Sequence, residues 1–133
     1  MNFILTPCIC VSHVTVTVTW FDLFVLDMNT ETACEGKTLD LRCKKGMTID
    51  IESAMYGRLS SKTCKAGRNI NTINCASRKS TDKVKKICNR HRRCKVRASN
   101  REMGDDPCYG VTKYLSVRYA CVGKSYGLVL KYL

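Results

Sequence analysis

The chain of 133 residues has ten cysteines, two histidines and a formal net charge of +12; a single core of this size commonly needs covalent reinforcement. Cysteine at this density, without a C-x-x-C pair, argues for disulfides in an oxidising compartment and against a cytosolic zinc protein. Gly-rich phosphate loops are absent, and neither His13 nor His91 has the neighbouring Ser or Cys pattern of a nucleophilic site, so composition favours a binding module over an enzyme.

Residues 1–28 hold no Lys or Arg, include Asp22 and Asp27, and are otherwise mostly apolar or threonine. They lack the positive start and small-residue cleavage site of a secretory signal. Pro7, His13 and Asp22 interrupt any membrane span, so no stable span is expected. We read the segment as signal-like but atypical, or as an imperfectly defined gene start. Cys8 and Cys10 then stand apart, and eight cysteines remain for the domain, their pairing left open by the sequence.

The stretch 37–43 (KTLDLRC) alternates, with Leu39, Leu41 and Cys43 on one face, and 47–55 repeats the pattern with Met47, Ile49, Ile51 and Met55 inward. Lys44-Lys45-Gly46 between them predicts a hairpin-like connection. Tyr56 falls out of parity with that row and precedes Gly57, which predicts a ring on the rim rather than in the core. An ordinary strand-end tyrosine would look the same. Residues 59–74, rich in Ser, Lys, Gly and Asn, read as a flexible loop held by Cys64 and Cys75.

Ser80 or Thr81 is positioned to cap a helix running to about Arg90, with Asp82 in its first turn and Val84, Ile87 and Cys88 on one face. Cys94, Val96 and Ala98 then alternate inward against Lys95 and Arg97. Cys88, His91 and Cys94 carry a C-x-x-H-x-x-C spacing that would give zinc three ligands, but a fourth is missing and a short cystine loop is the plainer reading. Residues 78–101 contain eleven bases against one acid. A solvated basic face accounts for such a run; so does adhesion to sulfated or otherwise anionic glycans. No aromatic residue interleaves the run to stack on bases, which argues against a nucleic-acid partner.

The last third of the chain organises the rest. Leu115, Val117, Tyr119 and Cys121 alternate with Ser116 and Arg118, the period of a half-buried strand. Lys113 shares the inward parity. A cation there is costly to bury alone, so it should lie at the rim of the sheet within reach of Asp106. Asp106-Pro107-Cys108, followed by Gly110, describes a tight turn ahead of it. Asp105 and Asp106, adjacent in sequence, should diverge rather than face each other as an acid/base pair.

Four segments, ACEG at 33–36, AMYGR at 54–58, DPC at 106–108 and KYL at 113–115, interleaved with eight cysteines, resemble the galactose- and rhamnose-binding lectin family first known from sea-urchin and fish eggs. The resemblance covers residues 32–122, with a short tail at 123–133. It departs from the family pattern at Arg101-Glu102-Met103-Gly104-Asp105, where Met103 replaces a usual aromatic residue.

That resemblance implies a strand-dominated α+β fold: a compact β-sandwich-like domain of about five antiparallel strands with one main helix. It implies disulfides Cys34 with Cys64, Cys43 with Cys121, Cys75 with Cys108 and Cys88 with Cys94. It further implies a shallow pocket of loops in which Glu35, Tyr56, Asn100, Asp106, Gly110 and Lys113 meet a rhamnose- or galactose-type sugar. Such residue types suit a monosaccharide, whose hydroxyls donate and accept while its C–H face wants an apolar plane. Disulfide usage points to a secreted or extracellular protein, no cofactor is expected, and because a lone site of this kind binds weakly, avidity would come from self-association or from several domains on a crowded surface. Members of the family also form extracellular modules of adhesion receptors, where the fold binds proteins; a purely cationic heparin-type binder is the other alternative.

Overall fold

The computed structural model of the protein describes residues 27–123. The readings of the segment before Asp27, of Cys8 and Cys10, and of the tail after Gly123 lie outside the described residues. Six strands and two helices follow in order: β1 (Met28–Cys34), β2 (Thr38–Arg42), β3 (Met47–Arg58), β4 (Cys75–Ala76), α1 (Ser80–Cys88), β5 (Arg93–Arg97), α2 (Asn100–Met103) and β6 (Tyr114–Gly123). The fold is a strand-dominated α+β domain with one main helix and four disulfides.

The strands form two antiparallel sheets, one ordered β1-β6-β3-β4 and the other β2-β5. β6 is central to the larger sheet because both of its edges are paired, with Cys34↔Tyr114 and Met28↔Ala120 on one side and Gly57↔Tyr114 and Met47↔Gly123 on the other. Its odd residues Leu115, Val117 and Tyr119 are buried as the alternation predicts, and Ala120 and Tyr114 are buried on the opposite face. Between the sheets and α1 the core gathers Leu39, Leu41, Ile49, Ile51, Val84, Val96, Met103, Leu115 and Val117. Met103, at the aromatic position of the family pattern, is fully buried in that core.

Two expectations are corrected here. β2 and β3 are not a hairpin: β2 pairs with β5 and β3 with β6, so residues 43–46 carry the chain from one sheet to the other. Both strands bury one face, and a turn signal between them does not say which partner each will choose. Tyr56 is not at the rim either, being 0% exposed. Ile51 pairs with Tyr119 and Ser53 with Arg118, so Glu52 is an extra residue in β3. Such a bulge reverses the parity of everything after it. Met55 leaves the inward row, and Ala54 and Tyr56 enter it.

The start of α1 braces this irregularity. Ser80 and Thr81 do not cap the helix, whose N-cap is Lys79 without a side-chain bond. Instead the Ser80 hydroxyl donates to the Ala54 carbonyl at 2.7 Å, and Thr81 Oγ1 both donates to that carbonyl at 3.0 Å and accepts from the Ala54 N–H at 3.1 Å. These bonds satisfy the Ala54 backbone where β4, which pairs only with Gly57 and Arg58, does not reach. Val84 and Cys88 pack inward as expected.

The disulfides join Cys34 to Cys64, Cys43 to Cys121, Cys75 to Cys108 and Cys88 to Cys94. These are the pairs the resemblance implies. Cys88 and Cys94 bind each other, which leaves His91 without thiolate neighbours for a metal. Among the described residues no helix is long and apolar enough to cross a membrane.

Candidate functional site

One end of the domain collects side chains from four distant segments. β1 ends at Cys34, and Glu35 follows in a turn fixed by backbone bonds from its own N–H to Lys113 O at 3.0 Å and from Gly36 N–H to Ala98 O at 2.7 Å. The bulged half of β3 delivers Tyr56. β5 runs through Ala98 into α2, whose N-cap Ser99 accepts from Glu102 N–H at 3.2 Å and sets Asn100 at the helix start. The Asp106 turn closes on itself through Cys108 N–H donating to Asp106 Oδ1 at 3.2 Å, and leads through Gly110, at φ +76°, to Lys113.

Lys113 is the hub. It is 3% exposed, and its ammonium donates to Glu35 Oε1 at 3.1 Å, to Asp106 Oδ1 at 3.2 Å and to Val111 O at 3.0 Å. An ammonium has three N–H groups, so its donors are fully used. Glu35 Oε2 accepts from the Lys113 backbone N–H at 2.9 Å. The Tyr56 hydroxyl stands 3.1 Å from Glu35 Oε1 and 2.8 Å from Asn100 Oδ1. Burial, reinforced by the Glu35 carboxylate, pushes the Tyr56 phenol well above its ordinary range, so it remains a neutral donor.

Two carboxylates and one ammonium leave this cluster with a net negative charge inside a strongly basic protein. The side chains of Glu35 and Asp106 are 28% and 32% exposed; both Glu35 oxygens are engaged, whereas Asp106 is anchored through Oδ1 alone. Among the described residues nothing engages Asp106 Oδ2 or the Asn100 amide nitrogen. The arrangement therefore offers an uncommitted acceptor and an uncommitted donor on a framework whose own bonds are already made, which is preorganisation for a small polar ligand. Glu35, Tyr56, Asn100, Asp106 and Lys113 are joined in one network, and Gly110 lies three residues before the hub. Asp105 turns away, its Oδ2 accepting from Ser77 Oγ at 2.8 Å.

A family model described as the D-galactoside/L-rhamnose binding SUEL lectin domain matches residues 41–121. The chain belongs to this lectin family. It is a lectin family, not an enzyme family. An L-rhamnose-binding lectin, CSL1, of Oncorhynchus keta is 40% identical over 101 residues, covering 75% of this chain and 34% of that protein. The L-rhamnose-binding lectin ELEL-1 of Echinometra lucunter is 35% identical over 97 residues, covering 72% of this chain and 93% of its own length. Latrophilin Cirl of Drosophila persimilis is 38% identical over 91 residues, covering 68% of this chain but 5% of the receptor. The chain thus spans about a third of the salmon lectin and nearly all of the sea-urchin one.

Two residues near this cluster had no role assigned from the sequence. Tyr109, in the turn between Cys108 and Gly110, is 95% exposed. Arg58 is the opposite: it is 0% exposed, with Nε donating to Thr112 O at 2.6 Å, Nη1 to Ser60 O at 2.7 Å and Thr63 O at 2.8 Å, and Nη2 to Cys64 O at 2.9 Å. Its guanidinium also lies 5.4 Å from the centre of the Tyr114 ring. Gly57, just before it, lets β4 approach β3, since its φ is +152° and a Cβ there would strike the Cys75 carbonyl. Arg58 thereby ties the loop after β3 to the segment that leads into Lys113, so that loop, read as flexible, is pinned at its start. Replacing it by Ala leaves several buried carbonyls unpaired, and we expect Arg58→Ala to cost about 3–5 kcal/mol of stability. Chemical denaturation measures this, and a loss under about 0.5 kcal/mol would show that water replaces the guanidinium.

Proposed function

We propose that the domain binds one L-rhamnose- or D-galactose-type monosaccharide at the Glu35–Tyr56–Asn100–Asp106–Lys113 cluster. The observation that carries this reading is the buried Lys113 ammonium, saturated by Glu35, Asp106 and Val111 and holding both carboxylates in register. Asp106 accepts from one sugar hydroxyl through its uncommitted oxygen, and the Asn100 amide donates to another. Lys113 and Tyr56 act as positioning residues that fix those groups. The likeness to two L-rhamnose-binding lectins supports the sugar class, and four disulfides support an extracellular setting.

A second reading follows from the latrophilin likeness, in which the domain serves as a protein-binding module of a larger extracellular protein. Isothermal titration with L-rhamnose, D-galactose and a sugar lacking the same hydroxyl arrangement, such as D-glucose, separates the two. Saturable heats from the first two sugars and none from glucose are expected. Absence of heat from all three would leave the protein-binding reading standing.

A further inference from the structure

The smaller sheet has an outer face that the lectin site does not use. Leu39 and Leu41 of β2 and Cys94 and Val96 of β5 are buried, so the alternate residues point away from the core. On β2 these are Thr38, Asp40 and Arg42, and on β5 they are Arg97, Lys95 and Arg93, directly opposite in that order. All but Asp40, which is half-buried, are exposed. Six residues therefore carry four cations and one anion in three cross-strand rows. Rows repeat about 7 Å apart along the strands, and the two columns lie about 5 Å apart.

This array works against the fold. Arg42 and Arg93 are a like-charged pair directly across the ladder, which destabilises a sheet. The single acid is already committed: Asp40 pairs with Arg42, and that hydrogen bond, opposed by burial and assisted by the charges of Arg42, Lys95 and Arg93, holds its carboxyl below the usual range. Among the described residues Arg93, Lys95 and Arg97 have no carboxylate partner. The two outer rows are net positive and the middle one, Asp40 opposite Lys95, is neutral, so the face as a whole lacks a counter-anion whose charges recur along a line.

We propose that the outer face of the β2–β5 ribbon is a second binding site, separate from the Glu35–Lys113 cluster, for a linear sulfated polysaccharide. Three of the four cations are arginines, whose planar forks match the oxygens of a sulfate group. The face carries no aromatic ring on which bases could stack and no apolar side chain to enter a bilayer. Four disulfides place the domain in the compartment where sulfated polysaccharides occur.

The test is binding to immobilised heparin across a salt series. Wild-type protein should show affinity falling steeply with salt, since cations released from the polymer drive association. The triple variant R93S/K95S/R97S should lose at least about tenfold in affinity at physiological salt, because it removes three of those ion contacts. K83S/K85S/K86S, which removes the same charge from the exposed residues of α1, should lose less than threefold. Equal losses from the two variants would reduce the effect to net charge and overturn the site. Asp106→Ala should bind heparin as wild type does; a parallel loss would mean one site, not two. Duplex DNA of matched charge and phosphatidylserine vesicles are competing ligands, and tighter binding to either overturns the polysaccharide assignment. A heparin oligosaccharide on the unaltered protein gives an independent reading that needs no variant: Lys95 should be protected from acetylation while Lys85 and Lys86 remain reactive, and the reverse pattern would refute the proposal.

Discussion

Strong reductant should abolish the cooperative melting transition of this domain at ordinary temperatures. Native stability of small domains is about 5–15 kcal/mol, and each closed loop restrains the unfolded chain in proportion to the logarithm of its length. Cys43–Cys121 closes the longest, with a sequence separation of 78, and contributes about 4.5 kcal/mol on this scale, against about 2 kcal/mol for Cys88–Cys94 with a separation of 6. The former also sews the end of β2 in the small sheet to β6 in the large one. Removing that pair by Cys43→Ala with Cys121→Ala should therefore cost more than Cys88→Ala with Cys94→Ala. Far-UV circular dichroism melts with and without reductant decide the first point, and the two double variants the second. A melting temperature indifferent to reductant would mean that the apolar core suffices alone.

Asp106→Ala should remove detectable sugar binding with little change in stability. The uncommitted oxygen supplies a charge-assisted hydrogen bond of about 1.5–3 kcal/mol, which corresponds to roughly 10- to 150-fold in affinity. A monosaccharide offers few other contacts to compensate. The fold is spared because Lys113 keeps Glu35 and the Val111 carbonyl, and Asp106 is a third exposed. Expected destabilisation is under about 1 kcal/mol. Glu35→Ala should behave differently, since Glu35 serves the Lys113 ammonium, the Lys113 backbone and the Tyr56 hydroxyl together. Its loss should lower both stability and binding. Titration calorimetry paired with thermal melts tests this split, and equal sugar heats from wild type and Asp106→Ala would place the sugar elsewhere.

Much of the fold was legible because strands announce themselves by parity. Leu39, Leu41 and Cys43, then Cys94, Val96 and Ala98, then Leu115, Val117 and Tyr119 were readable as inward rows, and they are buried. The meeting of Lys113 with Asp106 also followed from elementary cost, since an inward ammonium must find a carboxylate. What escaped was whatever depended on one residue more or less. The extra Glu52 in β3 has no mark in the sequence, yet it moves Tyr56 from rim to core. β1 escaped because MNTETAC carries almost no apolar alternation; it is a strand by pairing with β6 and not by its own pattern, and of its seven residues only Ala33 is buried. Arg58 was legible only as part of the AMYGR segment, and its buried role escaped because one base among 23 Lys and Arg is silent until its backbone partners are folded around it. The hydroxyls of Ser80 and Thr81 were read as serving their own helix when a neighbouring strand needed them more.

The pairing of β1 with β6 sets where the chain enters and leaves. Met28 lies opposite Ala120, three residues before Gly123, while Cys34 lies opposite Tyr114, next to Lys113. Both ends of the described segment thus share one pole, roughly 20–30 Å of strand length from the Glu35–Lys113 cluster at the other. Such a unit can be spliced into a longer polypeptide like a bead hung from a single knot. Copies joined through that knot would leave each Glu35–Lys113 end clear of the join.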